Sequence, residues 1–530
     1  MKTIKLRTIL AFILLTMSSS FAISQTNINK NEDFKVVGFH LDLRIQVMKP
    51  DALKDFASEL ASFGINTLLM EWEATFPFET HPIISNKYAY TKDEIDEFIS
   101  HCEKLNIDVI PLQQSLGHME YILRHARYAD QREDHKEVSQ ICPLEPELNK
   151  ELLTDLITEM AEAHPSEYFH IGGDEAYLLG HCDKCREKVE KEGIAKLIAD
   201  HLKMVCEIVV SLDKIPVLWS DIATTYPEEL SLLPKETVFM VWNYGWALDR
   251  FGDPEEITKR GFDIWGAPAL RSSPDNFYLT CWDKHIRNIR DFIPMCRDVG
   301  YKGVIMTSWS TSGEYSTVFE DKQTITDLIP IRNVYPISGF RILVAAYAQG
   351  FIETEGLDIE NFIVSYCNER FGLDKKQSLQ FWKALKGMPY QVIDGRVENN
   401  NELTVAMLLD SARQDQKTIH KLMPLKNQDE FAHFKLMSDI RENYLSFKQV
   451  EVIVNSREFN KEMLPEVLSS LESILEKDKS IKTRFTDLNS YLLYSGQIEE
   501  ENQTRIKRVQ LLYDRLLKQD KYDNNVSEKL

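Results

Sequence analysis

The feature that most constrains the fold is a rhythm. From Val36 onward, short and uniformly apolar runs alternate with longer amphipathic stretches. Runs that are apolar at nearly every position suit strands buried on both faces, the condition of a parallel sheet; half-exposed antiparallel strands would alternate apolar with polar residues. Eight runs qualify as strands: Val36 to Leu43, Thr67 to Glu73, Asp108 to Gln113, Tyr168 to Gly173, Val217 to Asp221, Val238 to Asn243, Phe262 to Gly266 and Gly303 to Trp309. Helical patterns fill the gaps, as in Thr91 to Lys104, where Thr91 is placed as N-cap and Glu94 in capping-box position. Eight such units over roughly 300 residues fit a closed (β/α)8 TIM barrel better than an open doubly wound sheet. No GxGxxG or GxxxxGKS/T follows any run, so a nucleotide-binding reading lacks its phosphate loop.

After about residue 350 the strand signals stop. Ile359, Phe362, Ile363, Tyr366 and Cys367 follow helical spacing, with Gly372 placed to end that helix, and Leu464, Val467, Leu468, Leu471, Ile474 and Leu475 repeat the pattern. Stripes of this kind are core faces, so an all-helical C-terminal domain is expected to follow the barrel. At 530 residues the chain also exceeds what one core usually supports. The expected organisation is a signal peptide over 1–22, a catalytic barrel over 23–345 and a helical domain over 346–530.

The leader reading rests on Lys2, Lys5 and Arg7 before the apolar run Ile9 to Leu15, then Ser20-Phe21-Ala22 at the cleavage positions. That run is shorter than the roughly 20 residues needed to span a bilayer, so cleavage and a secreted or periplasmic product are expected, with no membrane span afterwards. The net charge is −21, and loss of the leader's three cations takes it to about −24, a balance that disfavours nucleic acid as a partner. Eight cysteines are scattered through the chain. Cys182 and Cys185 form a CxxC beside His181, either a local disulfide or half of a zinc site. Because no second CxxC or CxxH follows, a structural pair with Cys142 near it in space is preferred, and no metal and no cofactor are expected.

Polar and aromatic residues gather at the C-terminal ends of the candidate strands: Asp42, Glu71 and Glu73, Gln113 and Gln114, Asp174 and Glu175, Trp219 and Asp221, Trp242, and Trp309. Barrel enzymes place their chemistry at that rim. Within it, Tyr168-Phe169-His170-Ile171-Gly172-Gly173-Asp174-Glu175 is an apolar strand ending in two glycines and two adjacent carboxylates. Neighbouring strand side chains point to opposite faces, so both acids serve one pocket only if the chain leaves strand geometry, which the glycines permit. Two close carboxylates repel, and a protonated acid then persists beside an ionised neighbour, the division of labour that glycoside hydrolysis requires. A solvated turn bearing two surface acids is the competing reading.

The His170-Ile171-Gly172-Gly173-Asp174-Glu175 segment resembles the His-x-Gly-Gly-Asp-Glu signature of glycoside hydrolase family 20, and Tyr177-Leu178-Leu179-Gly180 is similar to its hexosaminidase D branch. Further likeness runs through Glu71-Trp72-Glu73-Ala74-Thr75-Phe76-Pro77-Phe78 and Pro111-Leu112-Gln113-Gln114-Ser115-Leu116-Gly117-His118-Met119-Glu120. The resemblance implies an exo-acting, retaining β-N-acetylhexosaminidase. Its substrate would be a glycan or glycoconjugate with terminal β-linked GlcNAc or GalNAc, whose own 2-acetamido oxygen attacks the anomeric carbon. By that likeness Glu175 is the acid and later the base, and Asp174 orients the acetamide. Trp219, Trp242 and Trp309 are candidate sugar walls, while His118, Tyr244, Asp42 and Glu73 are candidate sugar contacts. The departures are Val37 before Gly38 where many members carry an arginine, with Arg44 nearby, and a seventh strand without Tyr-x-Asp. A catalytically silent sugar-binding barrel and an ordinary two-carboxylate glycosidase are the alternatives.

Overall fold

The computed structural model describes residues 33–247, 249–310 and 334–527. The expected leader over 1–22 lies outside the described residues. Eight parallel strands form the barrel: β1 (Val36–Asp42), β2 (Thr67–Glu71), β3 (Asp108–Leu112), β4 (Tyr168–His170), β5 (Ile215–Trp219), β6 (Val238–Trp242), β7 (Asp263–Ala267) and β8 (Gly303–Ser308). Each pairs with the next, and β8 returns to β1 with Val36 opposite Gly303, which closes the sheet. The apolar runs explain this closure. Val36, Leu69, Ile110, Val217, Met240, Trp265 and Ile305 point inward and fill the barrel, while the outward residues of the same strands pack under the helices. The strands fall where the sequence places them, with one instructive difference: β4 stops at His170, because Gly172 and Gly173 adopt φ of 66° and 88° and leave strand geometry, although Ile171 N–H still donates to Val217 O at 2.8 Å and Gly172 O still accepts the Trp219 N–H at 3.0 Å.

Around the barrel lie α1 (Pro50–Ser62), α2 (Lys92–Lys104), α3 (Pro146–Ala163), α4 (Asp183–Glu192), α5 (Ile194–Ser211), α6 (Trp282–Val299) and α7 (Arg341–Gly350). The α2 start is the capping box read from the sequence: Glu94 N–H donates to Thr91 Oγ1 at 3.2 Å and Thr91 N–H donates to Glu94 Oε2 at 2.8 Å. Its buried face is Ile95, Phe98, Ile99 and Cys102. Not foreseen from the sequence were an antiparallel hairpin of Arg132–Asp134 and Glu137–Ile141 in the loop after β3, a short strand Ala269–Arg271 that pairs parallel with β8, and a hairpin of Val392–Ile393 and Arg396–Val397 in the C-terminal region expected to be all-helical.

The C-terminal region consists of α8 (Ile359–Phe371), α9 (Lys375–Leu385), α10 (Val405–Lys421), α11 (Gln428–Val454), α12 (Leu464–Asn489) and α13 (Ser495–Ser527), interrupted by a hairpin of Val392–Ile393 and Arg396–Val397. Gly372, at φ 72°, ends α8 as expected. This region docks on the barrel through aromatic contacts: Trp282 of α6 meets Phe434 of α11 at 5.9 Å, and Tyr335 meets His433 of α11 at 5.7 Å. The outer face of the barrel strands and parts of α8, α9 and α11 therefore share one core, while the barrel interior and the α11–α13 end of the bundle keep cores of their own. Among the described residues no helix is long and apolar enough to cross a membrane.

Because Thr91 satisfies a backbone donor at an exposed helix start, Thr91→Ala should lower stability by about 1 kcal/mol. The denaturant midpoint checks this, and an unchanged midpoint would show that the capping box contributes nothing.

Candidate active site

The site begins with how the backbone leaves β4. His170 Nδ1 accepts the Gly172 N–H at 3.0 Å, and the two left-handed glycines then turn the chain so that Asp174 and Glu175 both face the barrel mouth. A Cβ on Gly172 would lie 2.0 Å from Gln114 Oε1 and 3.1 Å from Gln114 Cα, so a side chain there would displace Gln114 and strain the left-handed backbone. Opposite, Gly117 lets the β3 loop press against the pair: a Cβ there would sit 2.2 Å from the Asp174 carbonyl oxygen. Glu175 has φ 45°, and Glu73 after β2 and His118 after β3 have φ of 46° and 54°. Left-handed backbone costs a non-glycine residue about 1–2 kcal/mol. Three such residues behind three consecutive strands are held there by the packing around them, a pattern that concentrates at functional sites.

His118 joins the two acids. Its Nε2 lies 3.3 Å from Asp174 Oδ2 and 3.2 Å from Glu175 Oε2. Burial disfavours a charged imidazole, but the charge and hydrogen bonds of the two carboxylates outweigh it and raise the His118 pKa well above the usual histidine range. The reciprocal effect appears at Glu175. Burial pushes its carboxyl up, yet His118, the Tyr177 hydroxyl and the charge of Arg44 together hold it below the usual range. Tyr177 donates to Glu175 Oε1 at 2.7 Å although its ring is 79% exposed.

Asp221 supports both sides of the pocket. It accepts the Glu175 backbone N–H at 3.2 Å and the Trp242 indole N–H at 3.3 Å. Burial, then the charge of Asp174, pushes its carboxyl up to about 7. Asp174 itself is 5% exposed, and its Oδ1 accepts no hydrogen bond among the described residues.

These groups open onto a cavity of about 370 Å³, within the size range of small-ligand sites. Of the residues singled out in the sequence, His118, Asp174, Glu175, Trp219, Trp242, Tyr244 and Trp309 all line it. Trp219 and Trp309 lie 6.0 Å apart, and Trp309 Nε1–H donates to the Tyr244 hydroxyl at 2.9 Å. Asp42 and Glu73 do not reach the cavity wall. Asp42 is buried and accepts Arg44 Nε and Nη2 at 2.9 Å each and the Ser310 N–H at 2.8 Å. A buried strand-end carboxylate must be neutralised, and the arginine two residues on does so. Glu73 is buried within the field of the same guanidinium, which lies 5.2 Å from the Trp309 ring.

The sequence reading missed Trp246, Arg250, Ser272, Ser273 and Lys284, which form the remaining wall. Trp246, Arg250, Ser272 and Ser273 sit on the loops after β6 and β7, beyond the reach of strand periodicity, and Lys284 stands in the first turn of α6. The alternate aromatic spacing of Trp242, Tyr244 and Trp246 was the available signal for one of them.

A closed barrel whose mouth holds two adjacent acids between tryptophan walls has the architecture of a sugar-cleaving enzyme. Residues 43–325 match the family model described as the catalytic domain of glycosyl hydrolase family 20. Hexosaminidase D from Bos taurus is 30% identical over 343 residues, covering 61% of this chain and 95% of that protein. Hexosaminidase D from Homo sapiens is 30% identical over 299 residues, covering 53% and 61%. The solved β-N-acetylhexosaminidase from Bacteroides fragilis overlays with a TM-score of 0.46 at 18% identity, covering 60% of this chain and 66% of that one. The chain belongs to glycosyl hydrolase family 20 and is a glycoside hydrolase.

The Asp221 carboxyl gives a pH prediction. Its pKa of about 7 in the fold exceeds the unfolded value near 4, so between these pH values the folded chain keeps a proton that the unfolded chain has released. Its contribution to stability therefore falls as pH rises through that window. Asp221→Asn removes the effect, so the Tm of the variant minus that of the parent should climb from about pH 4 to about pH 7. A difference that stays constant across the window contradicts the raised pKa.

Proposed function

We propose that the chain is an exo-acting, retaining β-N-acetylhexosaminidase that removes terminal β-linked GlcNAc or GalNAc by substrate-assisted catalysis. The observation that carries this reading is the buried Asp174 Oδ1, an acceptor with no donor among the described residues, beside Glu175 in a tryptophan-walled cavity. A substrate acetamide brings the matching N–H. With that bond made, the acetamido oxygen is directed at the anomeric carbon. The new C–O bond forms as the glycosidic C–O bond breaks, and Glu175 gives its proton to the departing oxygen. Asp174 offsets the positive charge of the resulting oxazolinium ring. Water then attacks the anomeric carbon, Glu175 takes its proton, and the ring reopens to the acetamide with the original configuration restored.

His118 completes the proton supply. Held protonated between two carboxylates, it lies one hydrogen bond from Glu175 and replenishes the proton that an otherwise ionised Glu175 needs. The pyranose C–H faces stack on Trp219, Trp242 and Trp309. Tyr244 accepts from Trp309 and keeps its own proton for a sugar hydroxyl. Exo action suits a pocket floored by Trp219, which is 1% exposed, rather than a groove running through. The leader read in residues 1–22 supports substrates met outside the cytoplasm, which the N-terminal sequence of the secreted protein tests.

Glu175→Gln should slow release from unactivated β-N-acetylhexosaminides by about 10²-fold or more, the typical contribution of a positioned proton donor. Asp174→Asn should damage the acetamide-dependent step, and a thiazoline mimic of the cyclic intermediate should inhibit the parent enzyme. A fully active Glu175→Gln variant would overturn the assignment of the acid.

A further inference from the structure

The two loops that carry His118 and Glu175 meet a second time, at a cluster that catalysis does not use. Glu133 lies on the first strand of the hairpin after β3 and Cys142 follows its second strand; Cys182 caps α4 and Cys185 sits in its first turn. Cys142 Sγ is 3.7 Å from Cys182 Sγ and 3.6 Å from Cys185 Sγ, and Cys185 Sγ is 3.2 Å from Glu133 Oε2. All four ligand atoms lie within 4.8 Å of one another. The sequence suggested a cysteine pair with Cys142 near it; the fold adds Glu133 and leaves all eight cysteines as thiols.

The spacing discriminates between a disulfide and a metal. A disulfide needs sulfurs about 2.05 Å apart. Thiolates at about 2.3 Å from a tetrahedral zinc ion stand about 3.8 Å from each other, close to both separations found here. The charge environment points the same way. Glu133 is 2% exposed, yet no lysine, arginine or histidine pairs with it among the described residues, a costly arrangement for a buried carboxylate without a cation. Orienting bonds are in place as well: Cys185 N–H donates to Cys182 Sγ at 3.3 Å, and Cys182 N–H donates to Glu133 Oε1 at 2.8 Å, which leaves Oε2 to face the sulfurs.

We propose that Glu133, Cys142, Cys182 and Cys185 form a structural zinc site. Three soft sulfurs and one carboxylate, with two of the S···S separations near the tetrahedral value, select zinc over magnesium or calcium, and four protein ligands leave no position open for catalysis. Binding releases the three thiol protons, so the site tightens as pH rises. Its role follows from what it joins. The hairpin is tied to the His118 loop by Met119 N–H to Ser139 O and Ile141 N–H to Leu116 O, both at 3.0 Å, and to the Glu175 loop by Leu178 N–H to Gln140 Oε1 at 2.8 Å. Zinc would staple these loops and so hold His118 against Glu175. This inference stands independently of the sugar the enzyme cleaves.

The test uses the full chain purified without chelator. Elemental analysis should find one zinc ion per chain, lost in Cys185→Ser and in Glu133→Gln. Cys142, Cys182 and Cys185 should react with a thiol reagent only after chelation, and chelation should lower the Tm. Should the variants fail to fold, exchange of the parent protein with cobalt(II) decides: a thiolate-to-cobalt charge-transfer band is expected. The proposal is overturned if the parent protein, grown with zinc, carries no metal and shows no such band, or if its unreduced mass is two hydrogens light with Cys142 in a disulfide.

Discussion

The structure depends on how a barrel buries many acids at one end without unfolding. Asp42, Glu71, Glu73, Asp174 and Asp221 are all buried at or just below the mouth. Isolated buried charges are prohibitively expensive, so each must find a cation, a hydrogen-bond donor or a proton. Arg44 serves the β1 and β2 side: burial pushes Asp42 and Glu71 up, but the charge of the guanidinium together with hydrogen bonds and the nearby His40 holds both below their usual range. Glu71 is further fixed by His40 at 2.9 Å and by the Gln114 amide at 3.1 Å. His118 serves the β4 side. Burial, then the charge of Asp174, pushes the Asp221 carboxyl up to about 7. One cluster thus contains carboxyls in different protonation states at one pH, which is what acid-base chemistry on a sugar requires.

This charge arrangement works only because the backbone delivers it. Gly172 and Gly173 end β4 early, and Gly117 removes the Cβ that would otherwise strike the Asp174 carbonyl. Glu73, His118 and Glu175 are then held in left-handed conformations that isolated residues avoid. The hairpin behind them connects the His118 loop to the Glu175 loop, and the cysteine cluster lies where that connection ends. A distance of 3.2 Å between His118 and Glu175 is in this sense set by several elements acting together.

Much of this was readable in the sequence, for a physical reason. Strands covered on both faces must be apolar throughout, so Val36, Thr67 and the six later runs announced themselves, and the capping box at Thr91 and the glycine stop at Gly372 are local chemistry. The Gly-Gly-Asp-Glu segment carried the requirement that the chain leave the sheet. What stayed hidden depends on contacts between distant residues. The Arg132–Ile141 hairpin is too polar and short to show a period, so Glu133 could not be assigned to the cysteines. Asp42 looked like a rim acid because strand position says nothing of the Arg44 that claims it. Arg250 reaches the cavity from a long loop whose path no periodicity encodes, and Lys284 from the first turn of α6, whose placement depends on the loop before it.

The central claim is that the substrate's acetamide takes part in bond breaking, with Asp174 as its partner. The most direct measurement is a hydrolysis panel in which the same leaving group is carried by N-acetylated and by plain β-hexosides. The geometry predicts release from the N-acetylglucosaminide, the N-acetylgalactosaminide or both, and none above background from the plain glucoside and galactoside. Comparable rates on the plain hexosides would contradict it, because a site that cleaves them must provide its own nucleophile or activate water for direct attack.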